Sequence, residues 1–479
     1  MNMQSLEQAI NALVYILSAM VLLYFVLLSV IYFILLIAAY REVVRYIRRL
    51  RYTDFEILIH SQQTTPVSVL VPAFNEEKSI VESVHSFLKI HYPAFEIVVV
   101  NDGSKDNTLE ALVREFDLRR SRRIFRPSIP CQAVRGVYVS CRPEYKNIVV
   151  IDKENGGKAD ALNAGVNAAR YPLCCAIDAD SILEPDALLK IVKPTLEDSS
   201  ILAIGGIVRI ANGCTIHRGR VIDVRTPKKW VPVFQVVEYL RAFLIGRLGW
   251  STINSLLIIS GAFGVFKKEQ VVEIGGFRTD TVGEDMELVV RLHRRMMERK
   301  EPYRITFIPD PVCWTEAPET FRTLGRQRNR WHRGLLETTL IHRVLFANKQ
   351  YGAVGLLAFP YYLLFELLGP VIESSGYLVV ITAFFLGIVN LQLFIMFFVV
   401  AIIYGMLFSV GAVLLEEISF QRYPRPLDLV KLVLFALIEN LGYRQLTLYW
   451  RLKAYIDYAR GKRGWGVIQR KGFGSTPAA

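Results

Sequence analysis

The run from Ala9 to Tyr40, AINALVYILSAMVLLYFVLLSVIYFILLIAAY, contains no Gly, Pro or charged residue. About twenty apolar residues cross a bilayer as a helix, so this run reads as one long membrane helix, tilted or extending past the hydrocarbon. It exceeds the apolar core of a secretory signal, and no Lys or Arg precedes it. Only Glu7 stands on its N-terminal side, whereas Arg41, Arg45, Arg48, Arg49 and Arg51 follow. Basic flanks stay in the cytosol. The expectation is an integral protein of the plasma or inner membrane, with its N-terminus outside and its next domain cytosolic. Such an anchor forces the remaining chain to divide into watery and lipid-facing parts. Composition agrees: the 479 residues are 52% hydrophobic yet 21% charged, too polar for lipid alone and too apolar for a soluble chain.

The division runs along the sequence. Residues 1–52 hold the first helix (about 9–40) and its basic flank. Between 66 and 318, short apolar runs alternate with amphipathic ones. Strands are expected at 67–74, 96–102, 147–152 and 173–180, with helices near 77–90, 106–119 and 158–170. Strands apolar on both faces, alternating with helices, argue for a parallel α/β sheet. The piece RRSRRIFR at 119–126 reads as a solvated or membrane-facing excursion. Interfacial helices are expected over 319–350, and two spanning helices over 351–418, at 359–387 and 391–415. The closing segment, 419–479, contains an apolar stretch at 429–450 with Glu439, Asn440, Tyr443, Arg444 and Gln445 in its middle. Such groups are costly in lipid unless they face protein or water. Three crossings that start outside end inside, where the basic tail (Arg451, Lys453, Arg460, Lys462, Arg463, Arg470, Lys471) belongs. The stretch should therefore be a re-entrant or interfacial hairpin, bent near Gly442.

The chain carries 57 Lys and Arg against 44 Asp and Glu, a net charge of +13. Zinc-finger spacing and an RNA-recognition signature are missing, so nucleic acid is not an expected partner. Acidic lipid headgroups and a phosphate-bearing substrate account for the excess. The six cysteines form no CxxC pair and the seven histidines no HExxH cluster. That pattern suits reduced thiols and a hard cation held by carboxylates rather than zinc.

Ligands of parallel sheets bind beyond the carboxyl ends of the strands. Asn75 and Glu76, Asp102, and the pair Asp178/Asp180 all fall at such ends. In CAIDADS, alternation puts Asp178 and Asp180 on the same side of an extended chain. Two carboxylates so placed can hold a divalent cation that also binds a diphosphate, although a polar strand end before a helix would look the same. KENGGKADALNAG leads through Gly156 and Gly157 into a helix near Lys158, an arrangement that suits a phosphate. It lacks the spacing of a Walker A loop. In TVGEDMELVVRLHRR, Glu284 and Asp285 open an amphipathic helix. Acids stabilise helix starts by about 0.3–1 kcal/mol, which accounts for the pair taken alone; the functional reading makes Asp285 the general base for an acceptor hydroxyl.

NDGS, KENGGKA, DAD, GED and QRNRW occur in that order at successive loops of one α/β domain. That series resembles membrane-embedded family 2 glycosyltransferases of GT-A fold, the group holding cellulose, chitin, hyaluronan and poly-N-acetylglucosamine synthases. The resemblance covers about 66–336. It implies a Rossmann-like, mostly parallel cytosolic domain flanked by transmembrane helices. It implies that Asp102 holds a uracil ring, that Ala73, Asn75 and Glu76 line the nucleoside pocket, and that Lys158 approaches the diphosphate. Asp178 would contact the nucleotide and Asp180 ligate Mg2+ or Mn2+. Asp285 matches the base, while Gln327, Arg330 and Trp331 match the Q-x-x-R-W motif, with Arg330 facing the diphosphate and Trp331 beneath the acceptor sugar. Gly261, Ala262 and Phe263 would lie in the acceptor loop. The implied reaction is inverting transfer from a UDP-sugar of the glucose or N-acetylglucosamine class, extending a β-linked polysaccharide at the cytosolic face. Single-sugar transfer to a membrane lipid is the alternative. Two features depart from the pattern: Gly283 opens the acidic triplet, and membrane helices are few, so a homo-oligomer or small membrane partner could complete the protein. On a helix, Gln327, Arg330 and Trp331 share one face, and Arg326, Arg328 and Arg333 are expected to meet headgroups.

Overall fold

The computed structural model describes residues 3–462, apart from 62, 123, 124, 126 and 218. Twelve strands form: β1 Val67–Ala73, β2 Phe95–Asp102, β3 Leu118–Ser121, β4 Val134–Ser140, β5 Ile148–Lys153 and β6 Leu173–Ile177. Then follow β7 Ser181–Leu183, β8 Ile201–Ile210, β9 Thr215–His217, β10 Arg220–Asp223, β11 Phe263–Lys267 and β12 Arg304–Thr315. Ten make one sheet in the order β3-β4-β5-β2-β1-β6-β11-β8-β12-β7, and β9 with β10 makes a separate hairpin.

β5, β2, β1 and β6 pair in parallel, as do β8 and β12. β4 and β11 run against their neighbours. In β2 every residue is buried, and Val98, Val99 and Val100 are closed off on both faces. Burying each such side chain contributes on the order of 1.5–3 kcal/mol. A register slip would forfeit several of them at once, so the strand ends that carry Asp102 and Asp178 are fixed in place.

The four expected strands and three expected helices form, with β6 ending at Ile177 before the acid pair. The Arg-rich piece differs. Leu118–Ser121 is an edge strand, with Arg119 opposite Val139 and Arg120 opposite Tyr138. The far end of that piece, including Arg123 and Arg126, lies outside the described residues. An edge strand needs a buried partner on one face only, and exposed charge there blocks further pairing.

Among the described residues, two helices are long and apolar enough to cross a membrane, Asn11–Arg51 and Phe394–Ser419. A third span is made if Val354–Leu367 and Gly369–Phe385, bent by 48°, count as one. Pro370 sits at the restart of the second piece, where its missing N–H breaks the ladder. The N-terminal helix, Met3–Arg51, is continuous. Its Leu35, Ala39 and Val43 join the same apolar core as the sheet, and the Tyr46 hydroxyl donates to Asp310 at 3.3 Å.

The closing apolar stretch is two helices, Pro426–Ile438 and Tyr443–Ala459, separated at Gly442. Gly442 has φ +105°, which only glycine adopts without strain. Pro426–Ile438 has 13 residues, about 20 Å of helix, short of a hydrocarbon thickness of about 30 Å. The polar residues at the break are partnered inside the protein. Glu439 accepts from Arg241 and Ser409, and Arg444 pairs with Glu373 at 2.9 Å. Gln445 accepts from the Gly442 N–H at 2.7 Å. Of the basic tail, Arg463, Arg470 and Lys471 lie outside the described residues.

Candidate active site

The loops after β1 and β2 are tied to each other. Asn75, in the left-handed region at φ +56°, donates its N–H to Ser104 Oγ and accepts from the Lys105 N–H. Glu76 donates its N–H to Thr108 Oγ1 at 2.9 Å. These bonds form one wall beyond the carboxyl end of the sheet. Ala73 is buried at the end of β1 and offers the wall only backbone.

Asp102 closes β2 and is itself buried. Its carboxylate accepts from Lys153 Nζ at 2.5 Å, from the N–H groups of Gly156 and Gly157 at 3.0 and 2.8 Å, and from Asn155 Nδ2 at 3.1 Å. Burial pushes this carboxyl above its ordinary range, against the pull of Lys153 and the two N–H groups. Lys153 is fully buried and pairs also with Asp160 at 2.5 Å. Asp102 therefore clamps the turn that leads into the helix Lys158–Ala168. Gly157 turns at φ +89° to begin that helix.

Lys158, thus aimed, lies among acids. Its Nζ is 2.5 Å from Asp178, 3.7 Å from Glu284 and 3.4 Å from the Gly261 carbonyl. Burial alone would lower its pKa, but Asp178, Glu284 and Asp285 outweigh burial and hold the ammonium above the usual lysine range. Glu284 is pushed up to about 7, chiefly by burial, with Asp285 adding to the rise and Lys158 opposing it. Asp285 is half-buried; its Oδ2 accepts from the Gly261 N–H at 3.1 Å and its Oδ1 from the Met286 N–H at 2.8 Å. Gly261 thus touches Lys158 through its carbonyl and Asp285 through its N–H. A Cβ there would sit 2.8 Å from Lys158 Nζ and 3.6 Å from Asp285.

The two neighbours of Gly261 behave differently. Ala262 is buried and Phe263 is completely buried in β11. Phe263 therefore cannot meet an acceptor, because its ring belongs to the core over Gly206.

The helix Phe321–Ile341 brings in the last group. It approaches the helix Glu284–Arg299 where Gly283 faces Gly334, and a Cβ on Gly283 would lie 2.8 Å from Gly334 Cα. This contact explains the glycine that opens the acidic triplet: no larger residue lets the two backbones meet. Gln327 and Arg330 are half-buried on one face, and Trp331 on the same face is 42% exposed. Gln327 Oε1 is buried and accepts no hydrogen bond from a described residue.

The other arginines depart from expectation. Arg326 is exposed, but Arg328 and Arg333 are buried. Arg328 pairs with Glu238 at 2.6 Å, and its guanidinium lies 4.2 Å from the Trp331 ring centre. Arg333 donates to Asn329 and to the Lys462 carbonyl. Asn329 donates to Asp457 at 3.0 Å, and Arg451 donates to His332 at 3.3 Å. Glu238 comes from the helix Trp230–Leu240, and Arg451, Asp457 and Lys462 from the C-terminal helix or the residues just after it, so protein rather than headgroups covers this face. A membrane-flank reading missed them because charge runs are usually solvated; the signal was Tyr443 and its polar neighbours inside an apolar stretch.

A divalent cation fits the acid pair by donor chemistry. Asp178 and Asp180 offer hard oxygens, and the Lys158 ammonium at Asp178 shows that the site stabilises positive charge. Among the described residues no group of three or more His, Cys, Asp or Glu forms a ready cage. A cation there would take further ligands from a bound diphosphate.

Residues 175–410 match the model for "Glycosyl transferase family group 2", and residues 68–128 match "Glycosyl transferase family 2". The chain carries a family 2 glycosyltransferase domain. Over 285 residues it is 30% identical to the poly-β-1,6-N-acetyl-D-glucosamine synthase of Staphylococcus aureus strain COL. The match covers 59% of this chain and 57% of that protein. The enzyme of the same name from Staphylococcus epidermidis is 29% identical over 282 residues, 58% of this chain and 57% of the relative. The chain thus aligns with little more than half the length of these curated relatives. In structure, the transferase domain and its helices resemble a mannosyltransferase from Pyrobaculum calidifontis solved with GDP-Man and Mn2+. The TM-score is 0.50 at 18% identity, over 89% of this chain and 99% of that one. The fold is GT-A, with a mixed, mostly parallel sheet flanked by apolar helices.

Proposed function

We propose that this chain is an inverting transferase that extends a β-linked polysaccharide from a UDP-sugar at the cytosolic face of the membrane. The observation that carries the reading is the meeting at Gly261 of Lys158 and Asp285, a cation for the diphosphate and a base for the acceptor joined by one backbone unit. The named activity of the staphylococcal relatives supports a UDP-N-acetylglucosamine donor and a polymeric product.

In this reading the wall at Ala73, Asn75 and Glu76 holds the nucleoside, while Asp102, buried with its oxygens taken by Lys153, Asn155, Gly156 and Gly157, braces the turn behind that wall instead of meeting the uracil ring. Asp178 and Asp180 would hold Mg2+ or Mn2+, which neutralises charge on the departing diphosphate. Lys158 and Arg330 face the same phosphates. Trp331 supports the apolar face of the acceptor sugar, with the half-buried Gln327 on the same helix face. Asp285 takes the acceptor proton as the oxygen forms its bond to the anomeric carbon. The bond from that carbon to the phosphate oxygen breaks on the opposite side, UDP leaves, and the anomeric configuration inverts. No second carboxylate is needed as nucleophile. The basic end of the N-terminal helix supports a cytosolic domain with the N-terminus outside, and a second copy or a small membrane partner would cover the sparse membrane helices.

The test is UDP release from a panel of sugar nucleotides in nanodiscs, with Mg2+ and with Mn2+, followed by gel filtration of radiolabelled product. UDP release with a long product is expected. A single-sugar, organic-soluble product would replace polymer synthesis by lipid glycosylation, and no UDP release from any donor would overturn the reading.

A further inference from the structure

We propose that Arg328 is a positioning residue for Trp331, and that Glu238 and Tyr443 tie that position to the C-terminal helix Tyr443–Ala459. The inference rests on the reading of Trp331 as the acceptor platform.

Trp331 is held from two sides. The Arg328 guanidinium lies 4.2 Å from its ring centre, and the Tyr239 ring is 6.4 Å away at an angle of 36°. Residues 328 and 331 are one turn apart on their helix, so they are neighbours by geometry. A planar cation over an indole is attracted to the ring face. It therefore fixes the tilt of the indole while leaving 42% of Trp331 exposed for a sugar.

Arg328 is in turn fixed from outside its helix. Its Nη2 donates to Glu238 Oε2 at 2.6 Å, and the Tyr443 hydroxyl donates to the same oxygen at 3.1 Å. The Tyr443 ring stacks on Phe234, centres 4.5 Å apart and 11° from parallel. Tyr443 is the first residue of the helix after the break at Gly442. The chain of contacts thus runs from the start of the C-terminal helix through Glu238 and Arg328 to Trp331.

Stability alone does not account for this arginine. It is 5% exposed, and its Nε and Nη1 donate to no described residue. Buried donors without acceptors weaken a fold. An apolar side chain of similar length would pack there without that penalty, but it would neither grip Glu238 nor stack as a cation on Trp331.

The experiment pairs enzymology with a label on the indole. Arg328→Met, Arg328→Lys, Tyr443→Phe and Trp331→Phe are made in the full chain labelled with 5-fluorotryptophan, and Trp331→Phe assigns the Trp331 fluorine line. Arg328→Met should raise the acceptor KM at least tenfold while leaving UDP binding within twofold. Tyr443→Phe should do the same more weakly, and Arg328→Lys should restore part of the loss. In a Trp331→Phe background, Arg328→Met should add less than twofold, because the group it positions has changed. The Trp331 line should move in Arg328→Met and Tyr443→Phe, while the line of the core residue Trp314 stays put. An unmoved Trp331 line, or full additivity with Trp331→Phe, would overturn the inference. Loss of UDP binding together with acceptor binding would also overturn it, by making Arg328 a general support of the fold. The fluorine lines report even when no UDP is released, so failure of the functional reading and failure of this inference are told apart.

Discussion

Replacing Gly283 by alanine should uncouple the base from the motif helix. The backbone there has φ −119°, which alanine adopts freely, so any effect comes from packing. The new Cβ would lie 2.8 Å from Gly334 Cα, 3.0 Å from its carbonyl carbon and 3.1 Å from its oxygen. All three atoms are backbone and cannot turn aside. Carbon atoms prefer about 3.5–4.0 Å, so the helix Phe321–Ile341 must withdraw by roughly 0.7–1.2 Å from the helix that carries Asp285. Overpacking of this kind costs about 1–3 kcal/mol of stability. A displacement of about 1 Å between reacting groups can cost on the order of a hundredfold in rate. We therefore expect Gly283→Ala to bind UDP normally, to melt a few degrees lower, and to transfer sugar roughly a hundredfold more slowly. The assay is UDP release with acceptor beside thermal unfolding, with Gly246→Ala as control, because a Cβ there meets nothing closer than 4.0 Å. Wild-type transfer by Gly283→Ala would refute the claim that this glycine contact sets the distance from base to platform.

Three further outcomes are expected. Asp285→Asn should abolish transfer with UDP affinity near normal, measured by titration; lost UDP binding would move Asp285 into the nucleotide site. Asp180→Asn should weaken UDP binding only when Mg2+ or Mn2+ is present, and an unchanged metal titration would defeat that assignment. Glu284, pushed up to about 7 mainly by burial, binds its proton more tightly in the fold than in the unfolded chain. Its stabilising contribution is therefore complete below the ordinary glutamate range and is lost as pH rises through about 7. Above that point a second negative charge stands beside Asp285, so the donor KM should climb through neutrality in the wild type and stay flat in Glu284→Gln. A flat wild-type profile would place the titration elsewhere.

Much of this site was legible in the sequence because strand ends are. Apolar runs such as EIVVVND show where β2 stops, and Asp102 had to stand there; the same holds for Asp178 after LCCAI. Partners drawn from distant segments were not legible. Nothing in KENGGK shows that Lys153 would be buried between Asp102 and Asp160, since a lysine in sequence looks solvated until the fold closes around it. Phe263 looked available because a loop motif has no depth, whereas pairing in β11 turns the ring inward. Arg328 and Arg333 looked like a membrane flank because spacing along one helix cannot say which face a later helix will cover. The helix break at Gly442 was legible, since polar groups in an apolar stretch next to a glycine mark a place where one helix does not run on. Edge strand β3 was not, because its exposed arginines conceal a pairing that needs only backbone.

The continuous helix Met3–Arg51 has a consequence for length. Its 49 residues extend about 73 Å at 1.5 Å per residue, more than twice the hydrocarbon thickness of about 30 Å. Its inner end shares a core with the sheet through Val43 and Tyr46, so it acts as a mast rather than a tether. On the proposed topology, the mast sets both the height of the catalytic face above the bilayer and its compass bearing. One residue inserted between Tyr40 and Val43 would lift the domain by only about 1.5 Å but turn it by about 100°. An acceptor arriving from the membrane would then meet a face pointing the wrong way.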